Sequence, residues 1–346
     1  MSVGRASRTR RGVVALVLLP VLAACTHAPV QLDTTPAAYG LPRLSDRTLN
    51  VGGLGRSFLL HVPPQPPHNL LGRTRPFPLV IVLHGSGAEG ATVRAQSQMD
   101  VVADDRSFVV AYPDGTAGWL GDIQADWNLG KGCCRYAGLH DVNDVAFIRA
   151  IIADVASRLP VDPRRIYVAG FSDGATMTSR VGCELADRVA AIGIVAGEPP
   201  YVPCHPARPI PVIAFHGTAD DEVPYLSDAA SVTPPAPFPT HAPPPEVRFW
   251  AATDRCGRPA EQRVSSHVMR MRYRSCPADS VVELYTVTGG GHAWPGGEPD
   301  GPGGKKPTKE ISATELMVDF FEHHVLTTSS LTARPASVSS ERTDQR

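Results

Sequence analysis

Short, continuous apolar runs recur along the chain, separated by polar stretches that are rich in Gly and Pro. Runs bounded by turn residues in this way are typical of strands buried on both faces of a parallel sheet. Six such strands are predicted, at residues 77–83, 108–112, 166–169, 189–196, 210–215 and 281–287. Helices are predicted between or after them, at residues 90–105, 141–157, 175–185 and 311–325.

The strands and helices alternate without an internal repeat, which predicts one doubly wound α/β domain over about residues 44–326. A hairpin with Gly52-Gly53 at its turn precedes the first buried strand. With 346 residues, of which 42% are apolar, the chain can bury a full-sized core. The tail, residues 327–346, is rich in Ser, Thr and Arg and is predicted to be disordered.

The N-terminus has the pattern of an export signal. Four arginines precede an apolar run over residues 13–24, which is too short for a permanent membrane span. Leu22-Ala-Ala-Cys25 resembles the lipobox of bacterial lipoproteins, which implies that residues 1–24 are removed and that Cys25 is lipidated. An ordinary secretory peptide is the alternative reading. Arg10-Arg11 also resembles a twin-arginine signal, so the export route stays open, and residues 25–43 are predicted to be a tether.

Charge argues against one class of partner. The formal net charge is -1, and the signal segment holds four of the 33 basic residues and none of the 34 acidic ones. The remainder therefore carries 29 basic and 34 acidic side chains, a net charge of -5. This balance does not suggest nucleic acid as a partner. We expect a monomer at the outer face of the cell membrane or outside the cell.

The cysteines that remain after Cys25 number six, and an even count outside the cytosol indicates disulfides. Cys256 and Cys276 flank one short segment and are the first predicted pair. The neighbours Cys133 and Cys134 are not expected to pair with each other. At least one of them is expected to reach Cys183 or Cys204, although the connectivity stays open. No C-x-x-C or matched His spacing supports the alternative of a metal site.

Gly170-Phe-Ser172-Asp-Gly174 lies between a predicted strand and a predicted helix. Strand, sharp turn and helix with a serine at the apex is the nucleophile elbow, which makes Ser172 the candidate nucleophile. Gly170 and Gly174 lack the Cβ atoms that would clash where strand and helix approach. Because the five-residue pattern also arises by chance, an ordinary Gly-Ser turn is the alternative unless other residues support the elbow.

The supporting acid and histidine follow in the order that an α/β hydrolase requires. Asp220 and Asp221 come after a buried strand, and Asp220 is preferred as the acid that orients the imidazole. His292 lies in a glycine-rich loop after the last strand and is the candidate general base. His216 precedes the acid loop and is expected to brace it.

An oxyanion hole needs two N–H donors, and the amides of Ser86 and Asp173 are the candidates. Ser86 follows the predicted strand 77–83, and Asp173 follows the nucleophile. Trp127 and Trp294 are candidates for an aromatic wall that grips the substrate. Core packing is the equal alternative for both tryptophans.

Several strings together resemble the polyhydroxybutyrate depolymerase and feruloyl esterase group of α/β hydrolases, over about residues 45–326. They are Leu83-His-Gly, Ala111-Tyr-Pro-Asp-Gly, Trp127-Asn, Cys133-Cys134, Gly170-Phe-Ser-Asp-Gly, His216-Gly-Thr-Ala-Asp with Val223-Pro-Tyr, and Gly290-Gly-His-Ala-Trp-Pro-Gly-Gly. With the lipobox, the chain resembles actinobacterial LpqC-type lipoproteins. The resemblance implies an α/β-hydrolase fold and a secreted carboxylic ester hydrolase with Ser172, Asp220 and His292 as its triad. A proline-rich insert at residues 233–245 departs from the pattern and leaves the substrate specificity open.

The main hypothesis is a serine esterase that needs neither metal nor cofactor and acts on a small or polymeric ester through an acyl-enzyme. Acyl transfer or peptidase action by the same three residues is one alternative. A surface binding protein on a hydrolase scaffold is another, because fold does not fix function. The sequence does not identify the natural ester.

Overall fold

The structure is a computed structural model that describes residues 1, 31–69, 71–118, 124–130, 132–226, 242–299 and 304–327. The chain forms two compact units, Met1–Gln31 and Leu32–Arg346, each with its own internal contacts. Nearly all of the first unit lies outside the described residues, including the predicted signal peptide and Cys25. Most of the insert 233–245 and the tail beyond residue 327 also lie outside them.

The described part of the second unit contains ten strands that form one sheet, in the order β1-β2-β4-β3-β5-β6-β7-β10-β9-β8. The six strands from β4 to β10 in this order are parallel to one another, and antiparallel strands flank this group at both edges. The strand bounds are β1 Leu44–Val51, β2 Leu54–His61, β3 Phe77–Leu83, β4 Val109–Pro113, β5 Val161–Phe171, β6 Ala191–Val195, β7 Val212–Gly217, β8 Pro259–Arg263, β9 Val268–Tyr273 and β10 Val282–Val287.

The apolar runs thus form the parallel centre of the sheet, as predicted, and the N-terminal hairpin is β1 and β2. The parallel centre with helices packed around it is the α/β-hydrolase architecture. Strand β8 was not predicted, because all five of its residues are exposed and its sequence has no apolar pattern. Strand β9 buries only Val268 and Met271.

The described α-helices are α1 Gly90–Ser97, α2 Met99–Arg106, α3 Arg135–Leu139, α4 Asp144–Arg158, α5 Asp173–Glu184, α6 Pro245–Thr253 and α7 Ala313–Glu322. Helix α4 begins three residues later than predicted, because Asp141 has a positive φ of 49° and Asn143 caps the helix through the Ala146 amide. Helices α3 and α6 were not predicted. Among the helices described here, none is long and apolar enough to cross a membrane.

The disulfides correct one expectation from the sequence. Cys133 and Cys134 are bonded to each other, and Cys183 is bonded to Cys204. The peptide bond between Cys133 and Cys134 is cis, which brings their Cα atoms within 3.1 Å, so the adjacent pairing that we did not expect becomes possible. The end of α5 meets the segment after β6, which pairs the other two cysteines. The third disulfide joins Cys256 to Cys276, the predicted pair.

The topology gathers four functional loops at one edge of the sheet. The loops after β3, β5, β7 and β10 leave the carboxyl ends of four parallel strands, and this edge is where open α/β sheets bind ligands. The candidate oxyanion, nucleophile, acid and histidine loops are these four, in chain order.

Candidate active site

Ser172 occupies the sharp turn between β5 and α5. Its backbone has φ 56° and ψ -124°, a region that non-glycine residues rarely adopt and that is characteristic of strained functional positions. The surrounding packing permits no Cβ at the flanking glycines: one on Gly170 would lie 2.2 Å from the Gly174 carbonyl oxygen, and one on Gly174 would lie 2.4 Å from that of His84. The motif therefore folds as the predicted elbow.

The predicted acid and base meet in the structure. His292 Nδ1 donates to Asp220 Oδ2 over 2.8 Å, and both side chains are buried. The other oxygen of Asp220 accepts the amides of Glu222 at 3.0 Å and Val223 at 2.8 Å, which fixes the carboxylate. Asp221, the less favoured candidate for the acid, is exposed and pairs with Lys305.

Backbone bonds hold the acid loop against the histidine loop. The amide of Ala219 donates to the carbonyl of Gly290 over 2.8 Å, and the amide of Gly289 donates to the Thr218 hydroxyl over 2.8 Å. His216 donates from Nε2 to the Val223 carbonyl over 2.9 Å, while its Nδ1 contacts Glu246 at 2.8 Å. His216 thus braces the acid loop, as predicted.

The histidine ring also lies against the elbow, because the ring centroids of His292 and Phe171 are 4.6 Å apart. Ser172 is half-buried, and its hydroxyl forms no hydrogen bond within the described residues, to His292 or to any other group. The nearest acid to His292 Nε2 is the exposed Glu222, at 3.9 Å. Nucleophile–base hydrogen bonds are often long without substrate and shorten in the substrate complex.

The loop after β3 abuts the nucleophile from the other side. A Cβ on Gly85 would lie 3.2 Å from Ser172 Cβ, which places the neighbouring Ser86 beside the elbow. Neither the Ser86 amide nor the Asp173 amide donates to another group in the part of the chain that the structure describes. Both predicted oxyanion donors are therefore available to a ligand.

His84 fixes this loop. Its Nδ1 contacts the Gly85 carbonyl at 2.7 Å, and its Nε2 accepts the Gly115 amide over 2.8 Å. Burial lowers the pKa of His84 to about 4, although its bond to the Gly85 carbonyl opposes the shift. The ring is thus neutral at pH 7, with its proton on Nδ1. The role of His84 was not predicted.

Neither Trp127 nor Trp294 contributes to an accessible surface at the site. Trp127 and Trp294 are both fully buried. Trp127 donates to the His84 carbonyl over 2.9 Å, and Trp294 donates to the Thr314 hydroxyl over 3.0 Å. The substrate-binding interpretation of these residues was wrong and the packing alternative holds, because their indole N–H groups are used inside the core.

Two charged residues near the site were missed by the sequence analysis. Asp126 is fully buried, accepts the Ser86 hydroxyl over 3.1 Å and forms an ion pair with Arg135 Nε at 3.0 Å. Asp126 lies on a long polar loop whose residues carry no periodic pattern, and Arg135 is the first residue of α3, a helix that was not predicted. In the sequence, the Trp127-Asn and Cys133-Cys134 strings marked this region.

An elbow serine, a buried aspartate–histidine pair and two available amides at the carboxyl edge of a parallel sheet define an α/β hydrolase. The model of the family described as esterase PHB depolymerase matches residues 57–239. The chain is 31% identical to NocK of Nocardia uniformis subsp. tsuyamanensis, which is named as an esterase, over 90% of this chain and 98% of that one. It is 34% identical to feruloyl esterase B of Piromyces equi, over 68% of this chain and 42% of that one. The chain belongs to the esterase PHB depolymerase family and is a carboxylic ester hydrolase.

Two solved structures share the fold. An acetyl xylan esterase from Aspergillus awamori superposes with a TM-score of 0.52 at 14% identity, covering 72% of this chain and 94% of that one. A ferulic acid esterase from Anaeromyces mucronatus, solved with ferulic acid, gives a TM-score of 0.50 at 14% identity, covering 86% and 93%. At this identity the likeness concerns the fold alone.

Proposed function

We propose that the protein is a serine esterase that forms an acyl-enzyme on Ser172, with His292 as general base and Asp220 as the group that orients it. The observation that carries this proposal is the 2.8 Å bond between His292 Nδ1 and Asp220 Oδ2 beside the strained elbow of Ser172. That bond leaves Nε2 as the ring nitrogen that takes the serine proton.

In the first half-reaction, Ser172 Oγ attacks the ester carbonyl carbon and its proton passes to His292 Nε2. The carbonyl oxygen becomes an oxyanion that accepts the Ser86 and Asp173 amides, and each such donor contributes about 3 kcal/mol to transition-state binding. The carbon–oxygen bond of the ester breaks, and the leaving alcohol takes the proton from His292. Water then attacks the acyl carbon and gives its proton to His292, the bond between the acyl carbon and Ser172 Oγ breaks, and His292 returns the proton to Oγ as the acid leaves.

The names of the relatives support a proposal for the substrate class. Their names include feruloyl esterases and poly(3-hydroxyalkanoate) depolymerase C of Paucimonas lemoignei, which is 25% identical over 78% of this chain and 65% of that one. We therefore propose an ester of a hydroxyalkanoic or hydroxycinnamic acid as the natural substrate class.

Export and lipid anchoring at Cys25 form part of the same proposal. Three disulfides fit an oxidising compartment outside the cytosol, and the lipobox pattern supports diacylation. Metabolic labelling with a fatty-acid probe tests the anchor. The wild type should be labelled and Cys25→Ser should not, whereas equal labelling of both would contradict lipidation.

The enzymatic proposal is tested with purified, signal-free protein. Hydrolysis of p-nitrophenyl acetate and butyrate should be measurable, and Ser172→Ala should lower kcat by up to about 10⁶-fold. A panel of hydroxybutyrate oligomers, feruloyl sugars and acetylated polysaccharide then separates the ester classes. Equal hydrolysis by wild type and Ser172→Ala would contradict the proposal.

A further inference from the structure

A buried aspartate outside the triad contacts the oxyanion side of the site. Asp126 is fully buried, and its Oδ2 accepts the Ser86 hydroxyl and forms an ion pair with Arg135 Nε. Its Oδ1 is also buried and receives no hydrogen bond from any described residue. A buried carboxylate oxygen that lacks a donor is costly, and a proton retained on the group relieves that cost.

The second acid of this cluster is Asp173, the residue after the nucleophile. The negative charge of Asp173 acts on Asp126 and raises the pKa of Asp126 beyond the effect of burial, so the charge of one acid opposes ionisation of the other. The other charged or titratable groups that act on the two acids are Arg135 at Asp126, and Glu198, His292 and Tyr201 at Asp173. The two acids therefore favour a state in which one of them keeps its proton, and the Oδ1 of Asp126, which has no donor among the described residues, is the buried oxygen that gains most from it.

The backbone of Asp126 is held rigidly beside the oxyanion loop. It pairs with Thr116 in both directions, at 2.9 and 3.3 Å. Its carbonyl oxygen packs so closely on Gly115 that a Cβ there would lie 2.6 Å away. Gly115 in turn donates to His84, which fixes Gly85. The backbone of Asp126 is thus fixed, so its side chain can determine the position of the loop after β3 that contains Ser86.

We propose that Asp126 is a positioning residue that holds Ser86 through its hydroxyl, and that Asp126 and Asp173 retain one proton between them in the competent enzyme. The inference rests on the proposed function, since it assigns a purpose to the Ser86 amide. A second negative charge on the pair repels the developing oxyanion.

The pH at which this second charge arises follows from the surroundings of the pair. Burial, reinforced by the charge of Asp173, raises the pKa of Asp126 to about 6, although Ser86 and Arg135 oppose the shift. Burial also raises the pKa of Asp173. The pair therefore carries one proton below about pH 6 and loses it as the pH rises beyond that value.

The test compares kcat and KM of Asp126→Asn and wild type on p-nitrophenyl acetate from pH 5 to pH 8. The asparagine accepts from Ser86 and carries no charge at any pH, so it mimics the protonated aspartate. The ratio of its kcat to that of wild type should rise about threefold or more across this range, with a midpoint near pH 6. Asp254→Asn is the matched control, because burial also raises the pKa of Asp254 to about 6, at the opposite end of β7. Its ratio should stay constant with pH.

A second comparison asks whether Asp126 acts through Ser86. Ser86→Ala keeps the amide but loses the hydroxyl, so Ser86→Ala and Asp126→Ala should each lower kcat more than they raise KM. The double variant should be no worse than the more damaged single variant, since both remove one contact. Titration of intact sites with a fluorophosphonate corrects each rate for the folded fraction.

A ratio for Asp126→Asn that does not change with pH would overturn the shared proton. Additive losses in the double variant would overturn positioning through Ser86. The activity of Ser172→Ala is measured in the same experiment, because it tells failure of the proposed function from failure of the present inference. If that variant keeps wild-type activity, the proposed function fails, and if it is inactive, only the present inference fails.

Discussion

Asp220 contacts His292 through a 2.8 Å bond from Nδ1 to Oδ2, although 72 residues separate them along the chain. The bond joins loops that follow β7 and β10, two neighbouring parallel strands. Adjacent strand ends are the physical reason that an acid and a histidine so distant in sequence meet. The neighbouring Asp221 points to solvent and binds Lys305 instead.

This difference predicts opposite results for two adjacent substitutions. Asp220→Asn should lower kcat by about 10³- to 10⁴-fold, because the side chain of asparagine, unlike the carboxylate, stabilises neither the required tautomer of His292 nor its charged form. Asp221→Asn should stay within about twofold of wild type, because an exposed ion pair contributes little. Steady-state kinetics on p-nitrophenyl butyrate measure both. Equal effects at the two positions would contradict the assignment of the acid.

The elbow should tolerate no side chain at Gly174. An alanine there would place Cβ 2.4 Å from two backbone carbonyl oxygens, those of Leu83 and His84. Gly174→Ala should therefore lower the free energy of unfolding by about 3 kcal/mol and reduce activity as well. Gly55→Ala is the control, because no atom lies within 4 Å of the added Cβ. Guanidinium unfolding curves with the same midpoint for both variants would contradict the close packing.

The disulfides should differ in their contribution to stability. Cys183 and Cys204 are separated by 21 positions, and replacing both by Ser should lower the free energy of unfolding by about 3 kcal/mol on the chain-entropy account. The adjacent pair Cys133 and Cys134 closes almost no loop, so its replacement should cost only about 1 kcal/mol. Denaturant unfolding of the two double variants tests the contrast, and equal losses would contradict it.

A buried acid far from the site should make stability depend on pH. Burial raises the pKa of Asp254 to about 6, while hydrogen bonds from Ser280 and the Ile210 amide oppose the shift. The folded state therefore holds this proton more tightly than the unfolded state, whose Asp titrates near pH 4. The free energy of unfolding should fall by up to about 3 kcal/mol as pH rises from about 4 to about 6.

Asp254→Asn should lack this component of the decline. Unfolding measured at several pH values between 4 and 7 gives the difference between the two proteins. The difference between the two free energies of unfolding should change from about pH 4 to about pH 6 and be constant above pH 6. A constant difference at every pH would contradict the raised pKa.

The sequence predicted the features that leave a local signature. Residues 77–83 form β3 with the predicted bounds, because a strand buried on both faces is apolar at nearly every position. The elbow was predictable because Gly170 and Gly174 are required by backbone contacts on either side of Ser172. Asp220 and His292 could be assigned because strand ends and chain order constrain them.

Other features depend on tertiary contacts that carry no local signal. The exposed edge strand β8 has no apolar alternation. The bond between Cys133 and Cys134 joins two adjacent residues, and no local pattern in the sequence indicates it. Asp126 is one acid on a polar loop, and only the fold places it against Ser86 and Arg135. Trp127 and Trp294 resembled substrate contacts, but the folded chain encloses them completely.

The central claim is that Ser172 is acylated with the help of His292, and peptide mass spectrometry after a fluorophosphonate reaction tests it most directly. The account predicts a single adduct on the peptide that contains Ser172, formed rapidly by wild type and slowed by about 10³-fold or more in His292→Ala. The Ser172→Ala protein should carry no adduct. An adduct on another residue, or labelling of wild type and His292→Ala at the same rate, would contradict the account.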